Sequence, residues 1–504
     1  MSTIRRQSII SSVIVYFGFA LGALNIYLFA RSFEPAHFGL TTLFVSIGNI
    51  MFYFGNLGMQ TYIFKFYPYY ADNLTRKDND MMSWALLVAL IGFTGISVFG
   101  VFNKQLVIRK FGEHSADLVT YYYWIFPFGL GLTLYLLLES FSLHLNKVIL
   151  TTTLREVLFR LFITFLILLT LLGLLKSFDT FIKLYSFAYF PLVIILAWRL
   201  LRQKHLSIHF RMSRVTKKFL PKIRALALFS WGSSVVLNLS LFFGSIVIAA
   251  IVPNGLESAA IYAVAVYAGS IMQVPQRTLI SSAIGPLSRA WKDKDYEKIR
   301  RIYRRSSINQ LLFSVAIFIL ILINFKDGVQ TFGLNPVYLG GLPVFVFVGL
   351  MRIVDMGTGL NAQIIGTSVY WRFELLSGVL LLVLTLPLNY VLTKANGITG
   401  PAMADLFTFA IYNAIRYIFL LRLFRKKFHV NDMQPFTINT LYTLLLGAVT
   451  WLICYFGFRG YHGFIWILVR SIIFLGLFAT GVLALHLSED VLPVWRTIRK
   501  RVGF

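Results

Sequence analysis

Apolar residues in this chain gather into long uninterrupted runs. They do not alternate with polar ones. Fourteen runs can be marked, at 9–30, 39–62, 83–102, 120–144, 150–175, 180–201, 225–252, 259–286, 308–325, 338–362, 372–393, 398–422, 436–458 and 464–487. Each is long enough to cross an apolar layer of ~30 Å at about 1.5 Å per residue, with allowance for tilt. The shortest is 308–325. Continuous runs argue against a closed barrel, whose strands would show a two-residue period. The connections are too short to hold a separate soluble domain. The expected fold is therefore an all-α polytopic membrane protein of about fourteen transmembrane helices.

Composition agrees. Of 504 residues, 58% are hydrophobic and only 13% are charged, against about 25% charged in ordinary soluble proteins. A multi-domain soluble enzyme and a disordered chain are both excluded on that ground. The net charge of +27, from 47 Lys and Arg against 20 Asp and Glu, would suggest nucleic acid in a soluble protein. Here it is what inner loops of membrane proteins accumulate, and no nucleic-acid motif accompanies it. With both termini inside, 33 Lys and Arg fall in inner loops or inner span ends and 8 in outer ones. That split supports an even number of spans. Cys454 is the only cysteine, so an intrachain disulfide and a cysteine metal cluster are excluded. The run after Arg6 has no cleavage site of A-x-A type and reads as a retained first span.

The runs divide as six, six and two. The largest basic loop, Arg199 to Arg224, follows the sixth, and a second basic stretch, Arg425-Lys426-Lys427, follows the twelfth. Short outer hairpins with proline, a carboxylate and glycine open both blocks: residues 30–40 and residues 250–262. Six spans per block gives parallel repeats related by an axis along the membrane normal. The expected domains are 1–215 and 216–430 as six-helix lobes, then 431–504 as a helix pair with a basic tail.

The outer hairpin Arg31-Ser32-Phe33-Glu34-Pro35-Ala36-His37-Phe38-Gly39-Leu40, the segment Gly55-Asn56-Leu57-Gly58-Met59 and the six-six-two plan resemble bacterial oligosaccharide flippases of the Wzx type. These lie within the multidrug/oligosaccharidyl-lipid/polysaccharide exporter superfamily. The resemblance implies a V-shaped, MATE-like bundle working by alternating access in the bacterial cytoplasmic (inner) membrane. It implies a substrate made of an oligosaccharide repeat unit joined by pyrophosphate to undecaprenol, flipped outward for lipopolysaccharide and other surface polysaccharide biosynthesis. It further implies no cofactor or metal, polysaccharide assembly proteins as partners, and a monomer. The last helix pair would flank the cavity and form a groove for the lipid tail.

Charged groups inside spans are costly and by default face a cavity or a partner. Those in this chain include Glu139, Arg155, Glu156, Arg160, Arg277, Arg352, Asp355, Asp405 and Arg416. Arginine suits a diphosphate because its planar fork binds two oxygens at once. Arg160, Arg277, Arg352 and Arg416 are the candidate substrate cations, with Arg31 at the outer end of span one. Asn25, Tyr53 and Asn56 are candidate sugar contacts. Glu139, Asp355 and Asp405 are candidate coupling or ion-pair residues. Each has a structural alternative. Arg160 would pair with Glu139 on the neighbouring span; Arg352 and Asp355, three apart on one helix face, would pair with each other; Arg277 and Arg416 would snorkel. Arg155 and Glu156, being adjacent, would point different ways.

Three other readings compete. A cation-coupled multidrug exporter of this superfamily commonly carries an acid in span one, and residues 9–30 contain none. A lipid II flippase carries arginines in span one and early in span two; here span one has none before Arg31 and span two has none at all. A polytopic glycosyltransferase or polymerase needs catalytic acids in sizeable loops, yet the longest outer loop, Asn103 to Val119, offers only Glu113, His114 and Asp117. No nucleotide-binding, zinc-protease or serine-hydrolase signature occurs in a workable context. The expected protein is a transporter and not an enzyme.

Overall fold

The computed structural model describes residues 3–145, 147–206, 210–428, 430 and 434–490. All regular structure among them is helical. The helices used below are α1 (Thr3–Ser32), α2 (Pro35–Gly55), α3 (Met59–Asn73), α4 (Met81–Phe102), α5 (Ile125–His144), α6 (Phe159–Leu171), α7 (Phe190–Arg202) and α8 (Arg214–Ile251). After Gly255–Ser270 come α9 (Val274–Lys292), α10 (Tyr296–Thr331), α11 (Leu342–Gly357), α12 (Trp371–Asn396), α13 (Gly400–Lys427), α14 (Ile438–Gly457) and α15 (Phe464–Ala484).

Each of the fourteen apolar runs falls on helix. Eleven helical stretches among the described residues are long and apolar enough to span, and bent α8 makes twelve. One of the eleven, Arg372–Lys426 with 55 residues, is two antiparallel helices, α12 and α13, joined by a 3-10 turn at Gly397–Thr399. Helix also continues from Val148 to Leu171 through a π-turn at Thr153–Leu158, and this stretch carries Arg155, Glu156 and Arg160. The chain is a multi-pass membrane protein.

Three runs differ in detail from expectation. Run 39–62 is broken at Asn56–Gly58, where Leu57 (φ 45°) and Gly58 (φ 77°) turn the chain left-handed. A β-carbon on Gly58 would also collide with the Ala227 carbonyl of α8, so glycine answers both demands. Run 180–201 is broken at residues 186–189. Run 308–325, the shortest in sequence, lies inside the 36-residue α10. The charged first turns of α10 continue its helix beyond the apolar run, and hydropathy alone does not register them.

By packing, the chain forms two compact units, Met1–Ala260 and Ile261–Phe504. In the first, α2 packs on α4, α5 and α8, while α1 packs on the π-turn and α6. Its core includes Tyr62, Ile63, Phe66, Tyr70, Phe141, Leu192 and Leu196. In the second, α13 packs on α11 and α12, and α10 packs on α11, α14 and α15. The expected lobe boundary at 215/216 was read from a repeat; the packing division falls later because α8 lies against α2 and α3.

Candidate functional site

In the first unit, four ionisable side chains meet where the α5 hairpin returns through the π-turn. Arg155 bonds Glu139 at 3.1 Å and Glu156 at 3.2 Å, and Arg160 bonds Glu156 at 3.0 Å. Arg160 Nη1 is buried and, among the described residues, has no hydrogen-bond partner. The partner of Glu139 is thus Arg155, where the sequence suggested Arg160. The hairpin turns at Lys147, so residues equally far from it face each other across the two helices, and 139 and 155 are such a pair. Adjacent Arg155 and Glu156 do bond, against expectation: both lie on the π-turn, whose wider winding sets neighbours closer in direction. Single π-turns are frequent at functional sites.

Helix α1 seats against this cluster. Asn25 Nδ2 donates to the Arg160 carbonyl at 2.9 Å, and Thr164 donates to Asn25 Oδ1 at 2.6 Å. Asn25 is therefore a tie between α1 and α6. Phe19 lies beneath the Arg160 guanidinium at 5.7 Å. Gly18 allows the approach, since a β-carbon there would stand 2.7 Å from the Glu156 carbonyl and 3.0 Å from Arg160 Nη1. Gly18→Leu should destabilise the protein by about 1–3 kcal/mol through overpacking. The same change at Gly95, where the space is open, should leave thermal unfolding of the purified protein unchanged. Equal unfolding of both variants would show that α1 does not seat here.

In the second unit, Arg352 of α11 is half-buried, and among the described residues its Nε has no hydrogen-bond partner. Asp355, Asp405, Tyr262 and Arg277 act on it electrostatically. Among the described residues, Arg352 and Asp355 form no ion pair. The Asp355 carboxylate instead accepts from Gln276 at 3.2 Å and Asn413 at 3.3 Å. Asn413 also accepts from Thr358 and Asn361, each at 2.9 Å. This amide and hydroxyl network holds Asp355 aside from Arg352, its neighbour three residues away.

The remaining candidates are placed as follows. Arg416 is buried, 3% exposed, and its guanidinium is taken up by Glu374 of α12 and the Tyr412 hydroxyl. Arg277 is exposed on α9. Arg31 lies exposed at the end of α1, bonded to Tyr27 one turn back. Asn56 accepts from the Gln60 amide at 3.2 Å and so caps α3. Tyr53 is half-buried with its ring 6.3 Å from that of Phe242. Gln60, also on the polar side of this region, donates to Ser140 at 3.1 Å.

Each cluster balances two arginines, 155 and 160 or 277 and 352, against two carboxylates, 139 and 156 or 355 and 405. In the first cluster the arginines are already met by carboxylates; in the second, Arg352 forms no ion pair among the described residues. The first cluster can still bind a diphosphate by exchange, as phosphate oxygens replace a carboxylate on the arginine fork. Sequence reasoning missed Glu374, Gln276 and Asn413. Glu374 pairs with Arg416 although the two lie unequally far from the turn at Gly397–Thr399, so position along the hairpin did not point to it. The two amides carry no charge to draw attention to them.

No known family's sequence profile matches the chain, and neither does any curated protein sequence. Solved structures do. The lipid II flippase MurJ in an inward closed conformation superposes with a TM-score of 0.72 at 13% identity, covering 96% of this chain and all of its own (100%). An inward-facing MATE-family multidrug resistance transporter of the MOP superfamily gives 0.59 at 15% identity, covering 81% of this chain and 96% of its own. A Vibrio cholerae MATE transporter gives 0.54 at 14% identity, covering 84% and 98%. The chain has the all-helical fold that these transporters share.

Proposed function

We propose that the protein is a flippase of the MOP superfamily, carrying a pyrophosphate-linked lipid oligosaccharide from the inner to the outer leaflet of a bacterial cytoplasmic membrane by alternating access. The observation that carries this reading is the match over 96% of the chain to a lipid II flippase. The inward-facing exporter covers less of it, 81%. The absence of an acid from residues 9–30 and of arginine before Arg31 in span one favours an oligosaccharide substrate over either a cation-coupled drug or lipid II.

The arginines supply the chemistry. Arg160, with one nitrogen unpartnered, and Arg352, with Nε unpartnered, would each take phosphate oxygens as the headgroup crosses. Glu156, released from Arg160, would then be shared with Glu139 on Arg155 alone, and one of these carboxylates, or Asp355 or Asp405 near Arg352, would take up a proton or cation. The sugars would meet neutral polar groups such as Tyr53. The reading places both termini in the cytoplasm and needs no cofactor.

The experiment is reconstitution in vesicles with a fluorescent undecaprenyl-pyrophosphate oligosaccharide in the inner leaflet. Protein-dependent arrival of the sugar outside, read by quenching or lectin capture, is expected. Transport of cationic drugs with no movement of the glycolipid would establish the exporter reading in its place.

A further inference from the structure

The second unit contains a basic cavity that shares no residue with the clusters above. It has a volume of about 410 Å³ and is lined by Arg300, Arg301, Arg304 and Arg305 of α10, by the chain entering α14, and by the chain leaving α15. The four arginines fall at i, i+1, i+4 and i+5, which places them on one helix face. Hydrogen bonds tie the walls together. Arg305 bonds Glu489 at 2.9 Å, Asn309 bonds Asp490 at 2.7 Å, and Ser488 bonds Asn309 at 2.6 Å. Asn439 of α14 donates to the Leu487 carbonyl at 3.2 Å. His486 adopts a left-handed backbone (φ 47°), which turns the chain after α15 back toward α10. The lining is thus a built pocket where three helices end.

The cations outnumber the anions that line it. Glu297 engages Arg300 at 2.8 Å, and Glu489 engages Arg305. Arg304 donates to the Gln434 carbonyl at 3.2 Å. Arg301 lines the same cavity and, among the described residues, forms no ion pair. At about 1.5 Å per residue, the 36 residues of α10 exceed an apolar layer of ~30 Å, so the arginine-bearing first turns reach headgroup level. The Lys and Arg distribution assigns this end to the cytoplasm. Basic pockets between membrane helices on that side take phosphate-bearing headgroups.

We infer that this cavity is a binding site for a phosphate-bearing anion at the inner leaflet, Arg301 being its recognition residue among the four arginines, and that its occupant holds α14 and α15 against α10. The shared chemistry is a phosphate oxygen pair facing guanidinium groups; the source is an anionic phospholipid headgroup or soluble phosphate.

The test uses the full chain, purified in detergent, and follows thermal unfolding while phosphatidylglycerol, phosphatidylcholine or inorganic phosphate is titrated in. A saturable upward shift with phosphatidylglycerol but not phosphatidylcholine is expected. Arg301→Gln, which breaks no recorded ion pair, and Arg301→Gln with Arg304→Gln should weaken it at least 10-fold in half-saturating concentration. Arg289→Gln with Lys292→Gln, which remove as much charge outside the cavity, should not. If inorganic phosphate alone produces the shift and the Arg301 variants lose it, the site stands and its ligand is soluble. A shift indifferent to Arg301, or equally lost in the Arg289 and Lys292 variant, overturns the site.

Discussion

Arg160→Ala and Arg352→Ala are each expected to lower transport of the lipid-linked oligosaccharide by at least ~10-fold while the protein remains folded in the membrane. A hydrogen bond to a charged group contributes about 1.5–3 kcal/mol, and ~1.4 kcal/mol corresponds to a factor of ten. These two positions are chosen because each guanidinium has a buried nitrogen without a partner and so a bond still to make. Arg416 also has an unpartnered Nε, but its side chain is 4% exposed against 22% for Arg160 and its guanidinium is already held by Glu374 and Tyr412, so it should matter chiefly for stability. The lysine variants separate the roles. Arg160→Lys retains a cation for Glu156 but loses the planar fork, since lysine is a point charge. Transport in the reconstituted assay should fall while thermal unfolding changes little. Full transport by Arg160→Lys would reject recognition by the fork, and full transport by both alanine variants would remove these arginines from the substrate path. Arg160→Ala also leaves Arg155 to neutralise both Glu139 and Glu156, so its thermal midpoint must be measured beside its activity.

Arg470→Met should be the most destabilising single change in the second unit, at about 3–5 kcal/mol, because it strands a buried carboxylate. Arg470 of α15 bonds Asp327 of α10 at 2.6 Å, and the two side chains are 8% and 5% exposed. It also donates to the Ile323 carbonyl at 2.6 Å and the Tyr461 carbonyl at 2.9 Å. His462 meets the other Asp327 oxygen at 2.8 Å. One guanidinium thus fastens the last helix to α10 and to the turn before it. Asn324, bonded to Ser471 at 3.0 Å, is a weaker second tie. Since removing both members of a buried pair costs far less than removing one, Arg470→Met with Asp327→Leu should recover most of the loss. Chemical unfolding of the single and double variants measures this. A double variant no more stable than Arg470→Met would show that the carbonyl bonds, not the ion pair, hold the helix.

Where the chain crosses the membrane was legible in the sequence because hydropathy is a local property: each run of ~20 apolar residues meets the same lipid whatever its neighbours do. The helices at all fourteen runs follow from that. So does the concentration of arginine at the ends of α8, α9 and α10, which later proved to line a pocket at α10. Position along a hairpin was legible too: the turn at Lys147 aligns Glu139 with Arg155, eight residues to either side, whereas Glu374 and Arg416 lie unequally far from the turn at Gly397–Thr399 and were not.

Other features depended on tertiary structure. The rotation of each helix about its axis decided that Asp355 meets Gln276 and Asn413 in preference to Arg352. The π-turn at Thr153–Leu158 decided that Glu156 takes both arginines beside it. Close approach of α1 and of the chain after α2 turned Asn25 and Asn56, read as sugar contacts, into a helix tie and a cap. Spacing along one helix fixes which side chains share its face, but the partner opposite depends on the register between helices. Long flexible side chains such as arginine then choose among several carboxylates within reach, and only packing settles that choice.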